Sequence, residues 1–103
     1  MSFSVRLTRE ALEDLERLEE FLVELASKHG DYDLPVRAVE AIRRELRIIE
    51  TNPYTCRKAG SNSLERELII PFGGSGYVAL FEIISEHEIA VSAIRHQRED
   101  DYH

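Results

Sequence analysis

Residues 64–96, LERELIIPFGGSGYVALFEIISEHEIAVSAIRH, decide the fold. Three runs rich in β-branched and aromatic residues, Leu64–Phe72, Tyr77–Ile84 and Glu88–His96, are separated by Gly73-Gly74-Ser75-Gly76 and by Ser85-Glu86-His87. Both connections are short enough for hairpins, and hairpins make their strands antiparallel neighbours. The glycine-rich PFGGSG stretch reads as the first of these turns rather than as a phosphate cradle. A P-loop ends in Lys and Ser/Thr and opens a helix, whereas the strand Tyr77-Val78-Ala79-Leu80 follows here. Nor is Ser75 a nucleophile elbow of the G-x-S-x-G type, because Tyr77 stands where the last glycine belongs.

Working back from this segment, residues 53–63 (PYTCRKAGSNS) form a loop, and two helices precede it. Phe3, Val5 and Leu7 alternate with Ser4 and Arg6, the period of a half-buried strand. Thr8 then offers a hydroxyl to cap a helix, with Glu10 near the positive end of its dipole. Leu12, Leu15, Leu18, Leu22, Leu25 and Ala26 recur at three and four, opposite Glu13, Glu16, Arg17, Glu20 and Glu24. That pattern predicts an amphipathic helix over Thr8–Lys28, stopped by Gly30. Asp33 and Pro35 open a second helix, Leu34–Thr51, with Val39, Ile42, Leu46 and Ile49 as its apolar stripe and Asn52-Pro53 as its stop. So short a link makes the two helices an antiparallel hairpin. The whole chain, residues 1–103, is thus expected to be one α+β domain of order β-α-α-β-β-β. A small, four-stranded, mainly antiparallel sheet would carry the helical hairpin on one face.

Charge narrows the function. Thirteen basic against twenty acidic residues leave a formal net charge of −7. Binding to nucleic acid draws on counterion release from phosphates, so such a chain starts at a disadvantage there. Arg37, Arg43, Arg44 and Arg47 lie on the outer arc of the second helix and read as partners of Glu40 and of the glutamate-rich first helix. No apolar run approaches the roughly 20 residues that span a bilayer. The start, MSFSVRLTRE, lacks the apolar core of a signal peptide, and the single cysteine, Cys56, suits a reducing cytoplasm. His29, His87, His96 and His103 show no metal-ligand spacing, so neither a metal nor a cofactor is expected.

The ending VSAIRHQREDDYH holds the residues best suited to chemistry. Arg95 and Arg98 can clamp a phosphate, His96 can move a proton near neutral pH, and Tyr102 can act as an acid or a stacking platform. Together they suit metal-free RNA cleavage by the neighbouring 2′-hydroxyl. Glu99, Asp100 and Asp101 oppose that reading, and Arg95 and His96 can equally pair with carboxylates at the strand end.

The run RELIIPFGGSGYVALFEI followed by IAVSAIRHQREDDY resembles the C-terminal half of the RelE/ParE superfamily of type II toxins, and the strand and helices ending in NPYTCRKAG resemble its N-terminal half. The resemblance implies the same strand–helix–helix–three-strand order and a toxin–antitoxin system, with growth inhibition or plasmid stabilisation as its outcome. RelE-like members cleave messenger RNA on the ribosome with lysines and arginines of the central sheet and a C-terminal tyrosine. ParE-like members bind DNA gyrase without that set. Leu68-Ile69-Ile70-Pro71-Phe72 is apolar where RelE-like enzymes carry lysines, and Val78 stands in place of a catalytic arginine. Only Arg98 and Tyr102 match, at a shorter spacing. The ParE-like reading, a gyrase inhibitor, is therefore preferred over a ribonuclease acting through Arg95, His96, Arg98 and Tyr102, and over an inactive relic. The resemblance also implies a partly disordered, DNA-binding antitoxin as partner, either in a plain complex or in a heterotetramer. Its ordering segment needs an apolar track: a partner helix is expected against the hairpin at Leu18 and Phe21, and an extended stretch is expected to add to or cross the sheet, with charged groups reaching Arg95 or Arg98. A toxin homodimer covering the same surface is the competing arrangement.

Overall fold

The computed structural model describes residues 2–97. Strand β1 (Ser4–Leu7) leads into helix α1 (Arg9–His29), and α2 (Leu34–Leu46) returns beside it. Thr8 caps α1, its hydroxyl accepting from the Ala11 N–H, and Gly30 ends it in the left-handed conformation at φ 75°. The buried side of α1 is set by Ala11, Leu22 and Ala26, while Leu12, placed in the apolar stripe by its spacing, is half exposed. Asp14 instead sits on the inner side with Ala11, Leu15 and Leu18.

The second helix is shorter than its apolar stripe predicts. It stops at Leu46, and Ile48–Glu50 and Pro53–Thr55 form two single 3-10 turns. Asn52, at φ −133° and ψ 51°, has already left helical space before Pro53. The tighter turn rotates Ile49 fully into the core and leaves Ile48 outside. Its arginines also pair differently from expectation. Arg37 meets Asp31 and Asp33 at the hairpin link, and among the described residues Arg43, Arg44 and Arg47 make no ion pair with Glu40 or with α1.

The sheet has five strands rather than four, in the order β1-β5-β4-β3-β2, and it is mixed. β3 (Glu65–Phe72), β4 (Ser75–Ile83) and β5 (Glu88–His96) are the antiparallel meander that the sequence predicts. Only Gly73 and Gly74 lie outside the first ladder, since Phe72 already opposes Ser75. Gly76 belongs to β4, where a Cβ would stand 2.3 Å from the Ile70 carbonyl oxygen. β1 docks parallel to β5 at the far edge, pairing Ser4–Leu7 with Glu88–Val91. The added strand, β2 (Arg57–Lys58), comes from the segment read as loop. It is drawn to β3 by Arg66, whose guanidinium donates to the carbonyl oxygens of Tyr54, Cys56 and Ser63, and by the Arg57–Glu67 pair at 2.9 Å.

One face of the sheet carries the helices. Ile42, Leu46 and Ile49 pack on Ile70, Phe81 and Val91, and this layer is the core. A bulge at Ser92 shifts the β4–β5 register, since Leu80 opposes Ala93 while Phe81 opposes Val91. The bulge re-aims the last residues of β5, and these border the site described next.

Candidate functional site

Beyond the bulge, α1 and the sheet part. The gap is a groove of about 880 Å³ between the second half of α1 and the ends of the β3–β4 hairpin and β5. Its helical wall is Leu18, Phe21, Leu22 and Leu25, with Leu34 from the start of α2. These residues share one stripe because they recur at three and four. Phe21 is 58% exposed although an apolar side chain of this size is usually covered. Leu18, a member of the apolar stripe, and Phe21, three residues on, thus both line this open apolar track.

The opposite wall is aromatic. Phe72 stacks on Tyr77 at 6.0 Å between centroids, and the His96 ring meets Tyr77 edge-on at 5.7 Å. Tyr77 is 3% exposed, and burial pushes its phenol above the usual value, so the ring is a neutral wall at physiological pH. Ser75 Oγ and His96 Nε2 are 3.1 Å apart in the same wall. The polar end of the groove is held by Asp14. One carboxylate oxygen accepts the Ile94 backbone N–H at 3.0 Å and the other pairs with Arg17. Asp14 is only 14% exposed, a carboxylate on the inner side of an amphipathic helix.

Arg95 and His96, candidates for one phosphate-sized site, diverge along the strand. Alternation turns His96 towards Tyr77 and the groove, and turns Arg95 towards the outer face of the sheet, opposite Val78. Arg95 also borders the groove at its rim. On the outer face its neighbours are Val78, Leu80, Ala93 and Glu67, around a recess of about 70 Å³. Ile69 continues that row as the cross-strand partner of Val78. Arg98 and Tyr102, the other two residues of the set, lie outside the described residues. Among the described residues no group of three or more His, Cys, Asp or Glu side chains is placed to hold a metal ion, and no helix is long and apolar enough to cross a membrane.

Sequence reading missed the polar end of the groove. The Asp14–Ile94 bond joins residues 80 positions apart, and the Ser75–His96 contact joins residues 21 apart. One signal was present: Asp14 interrupts the inner stripe of α1 and needs a partner there.

Comparison with known proteins agrees with the fold. The family model of the ParE toxin of type II toxin–antitoxin systems, parDE, matches residues 5–101. The structure is similar to a chain of a solved chromosomal ParDE TA system from P. aeruginosa, with a TM-score of 0.71 and 20% identity. The match covers 92% of this chain and 96% of that one. At that identity the likeness speaks for the fold. No curated protein matches the sequence.

Proposed function

The chain belongs to the ParE toxin family of type II toxin–antitoxin systems, and from that premise we propose that it is a cytoplasmic growth inhibitor of DNA gyrase, silenced by an antitoxin segment that fills the groove. The observation that carries the antitoxin part is the groove itself, an apolar track with Phe21 standing 58% exposed in its wall. A segment that orders as it binds needs such a track, because apolar burial must offset the lost chain entropy. The wall of Leu18, Phe21, Leu22 and Leu25 suits the apolar face of a helix, and the rim at Arg95 suits its carboxylates.

The choice of gyrase over messenger RNA is supported by the outer face of the sheet. Metal-free cleavage of RNA needs several cations around one phosphate, to neutralise charge as it builds. Around Arg95 that face presents Ile69, Val78, Leu80 and Ala93 together with Glu67, a carboxylate engaged by Arg57, and His96 points to the other side. The net charge of −7 further disfavours a site on ribosomal RNA.

Purified toxin, added to gyrase with relaxed plasmid, should block supercoiling or trap cleaved DNA, and the added antitoxin should restore activity. Translating ribosomes should show no toxin-dependent cleavage of messenger RNA. Codon-dependent cutting with untouched gyrase would replace this reading by the ribonuclease, and harmless expression without antitoxin would leave an inactive relic.

A further inference from the structure

The edge of β5 is covered along half its length. β1 pairs with Glu88–Val91, and the Thr8 N–H closes the ladder on the Val91 carbonyl at 3.0 Å. There the chain turns into α1, and past the bulge at Ser92 no strand among the described residues lies on this edge of β5. An edge of this kind offers backbone groups to any extended chain. The stretch of β3 that β2 leaves uncovered, past Glu67, carries Pro71, which has no N–H to offer. On β5 the Ile94 N–H instead meets a side chain, the Asp14 carboxylate, itself steadied by Arg17. An acceptor oxygen 3.0 Å from an edge amide stands where the carbonyl of a neighbouring strand would stand. Asp14, Arg17 and Ile94 also line the groove, so this bond is reached from the space that a partner would enter.

We infer that Asp14 is a placeholder on the open edge of β5, holding the Ile94 N–H until an extended segment of the antitoxin supplies a backbone carbonyl in its stead. The inference rests on the reading of the groove as the antitoxin site and adds its main-chain recognition: a helical stretch meets Phe21, and an adjoining extended stretch pairs with β5. In the free toxin the carboxylate keeps the edge from templating a second copy. On binding, Asp14 and Arg17 swing outward and the strand takes over the amide.

The test uses the toxin and the antitoxin encoded beside it. Asp14→Ala leaves the Ile94 N–H of the free toxin without its acceptor, so its hydrogen exchange should quicken about tenfold. The same variant should bind the antitoxin several-fold more tightly, because nothing has to be displaced. A purely structural Asp14 would lower stability and affinity together, and that result overturns the inference. In the wild-type complex, scalar coupling across the hydrogen bond from the Ile94 amide should identify a backbone carbonyl of the antitoxin. Coupling that still ends on the Asp14 side chain refutes the placeholder role, and this measurement decides the matter even if Asp14→Ala does not fold. Phe21→Asp separates the two claims. If it leaves the complex intact, the groove reading itself fails; if it breaks the complex while Asp14 stays on Ile94, only the placeholder fails.

Discussion

At the residue scale, two ionisable groups tie this fold to pH. Burial pushes the Cys56 thiol above its usual value, partly opposed by the positive charge of Arg66, and burial alone raises the Tyr77 phenol. Both are acids whose neutral form the folded state favours. Their contribution is therefore complete below the unfolded values, about 8.5 for Cys and about 10 for Tyr, and is lost as pH climbs through the higher folded values. Thermal melts should stay level from neutrality to about pH 8 and then fall in two stages. Cys56→Ala should delay the onset and Tyr77→Phe should remove the upper stage, as followed by circular dichroism. An unchanged alkaline profile in both variants would show that other groups set it. The two residues differ in how far the sequence reveals them. Tyr77 opens a continuous apolar run, so that it is buried is legible, whereas the burial of Cys56 depends on a loop whose path is fixed from elsewhere.

That path belongs to the scale of elements. The segment 53–63 carries proline, glycine and small polar residues, the composition of a loop, and its β-propensity is poor. It pairs nonetheless over Arg57–Lys58, because Arg66 bonds three of its carbonyl oxygens and stacks on Tyr54 at 5.5 Å. A side-chain clamp of this kind leaves no periodic trace, which is why the fifth strand was not legible. The long helix α1 was legible because its period of 3.6 repeats over many residues, and the β3–β4–β5 meander because three β-rich runs are bounded by short turns. The end of α2 was legible only in part, since the apolar stripe runs on through Ile49 while the backbone changes to 3-10 turns. Arg66→Ala should cost about 2 kcal/mol in chemical denaturation and free the Arg57–Lys58 amides to exchange. Arg66→Lys should rescue little of this, because one ammonium cannot fork to three carbonyls. Full protection of the Arg57 and Lys58 amides in Arg66→Ala would mean that β2 holds itself.

On the scale of the whole molecule, the helical hairpin and the sheet are packed tightly from β1 to the bulge and parted beyond it. The closed part supplies the core around Phe81, and the parted end leaves the groove with Phe21 in its wall. Leu18 on that wall belongs to the apolar stripe legible in the sequence, and Phe21 stands three residues on along the same helix. The facing wall could not, because Phe72, Tyr77 and His96 converge only after two hairpins and a bulge are formed. The division of Arg95 from His96 was legible in principle from strand alternation alone. An anchor aromatic at the centre of an interface typically carries 2 kcal/mol or more, which is about thirtyfold in affinity. The most direct measurement is the dissociation constant of the antitoxin for wild-type toxin and for Phe21→Asp, by titration calorimetry on samples shown to be folded. A loss of about thirtyfold or more in the variant, with its fold intact, is the expected result. Equal affinity, with solubility unchanged, would contradict the assignment of the groove as the docking surface.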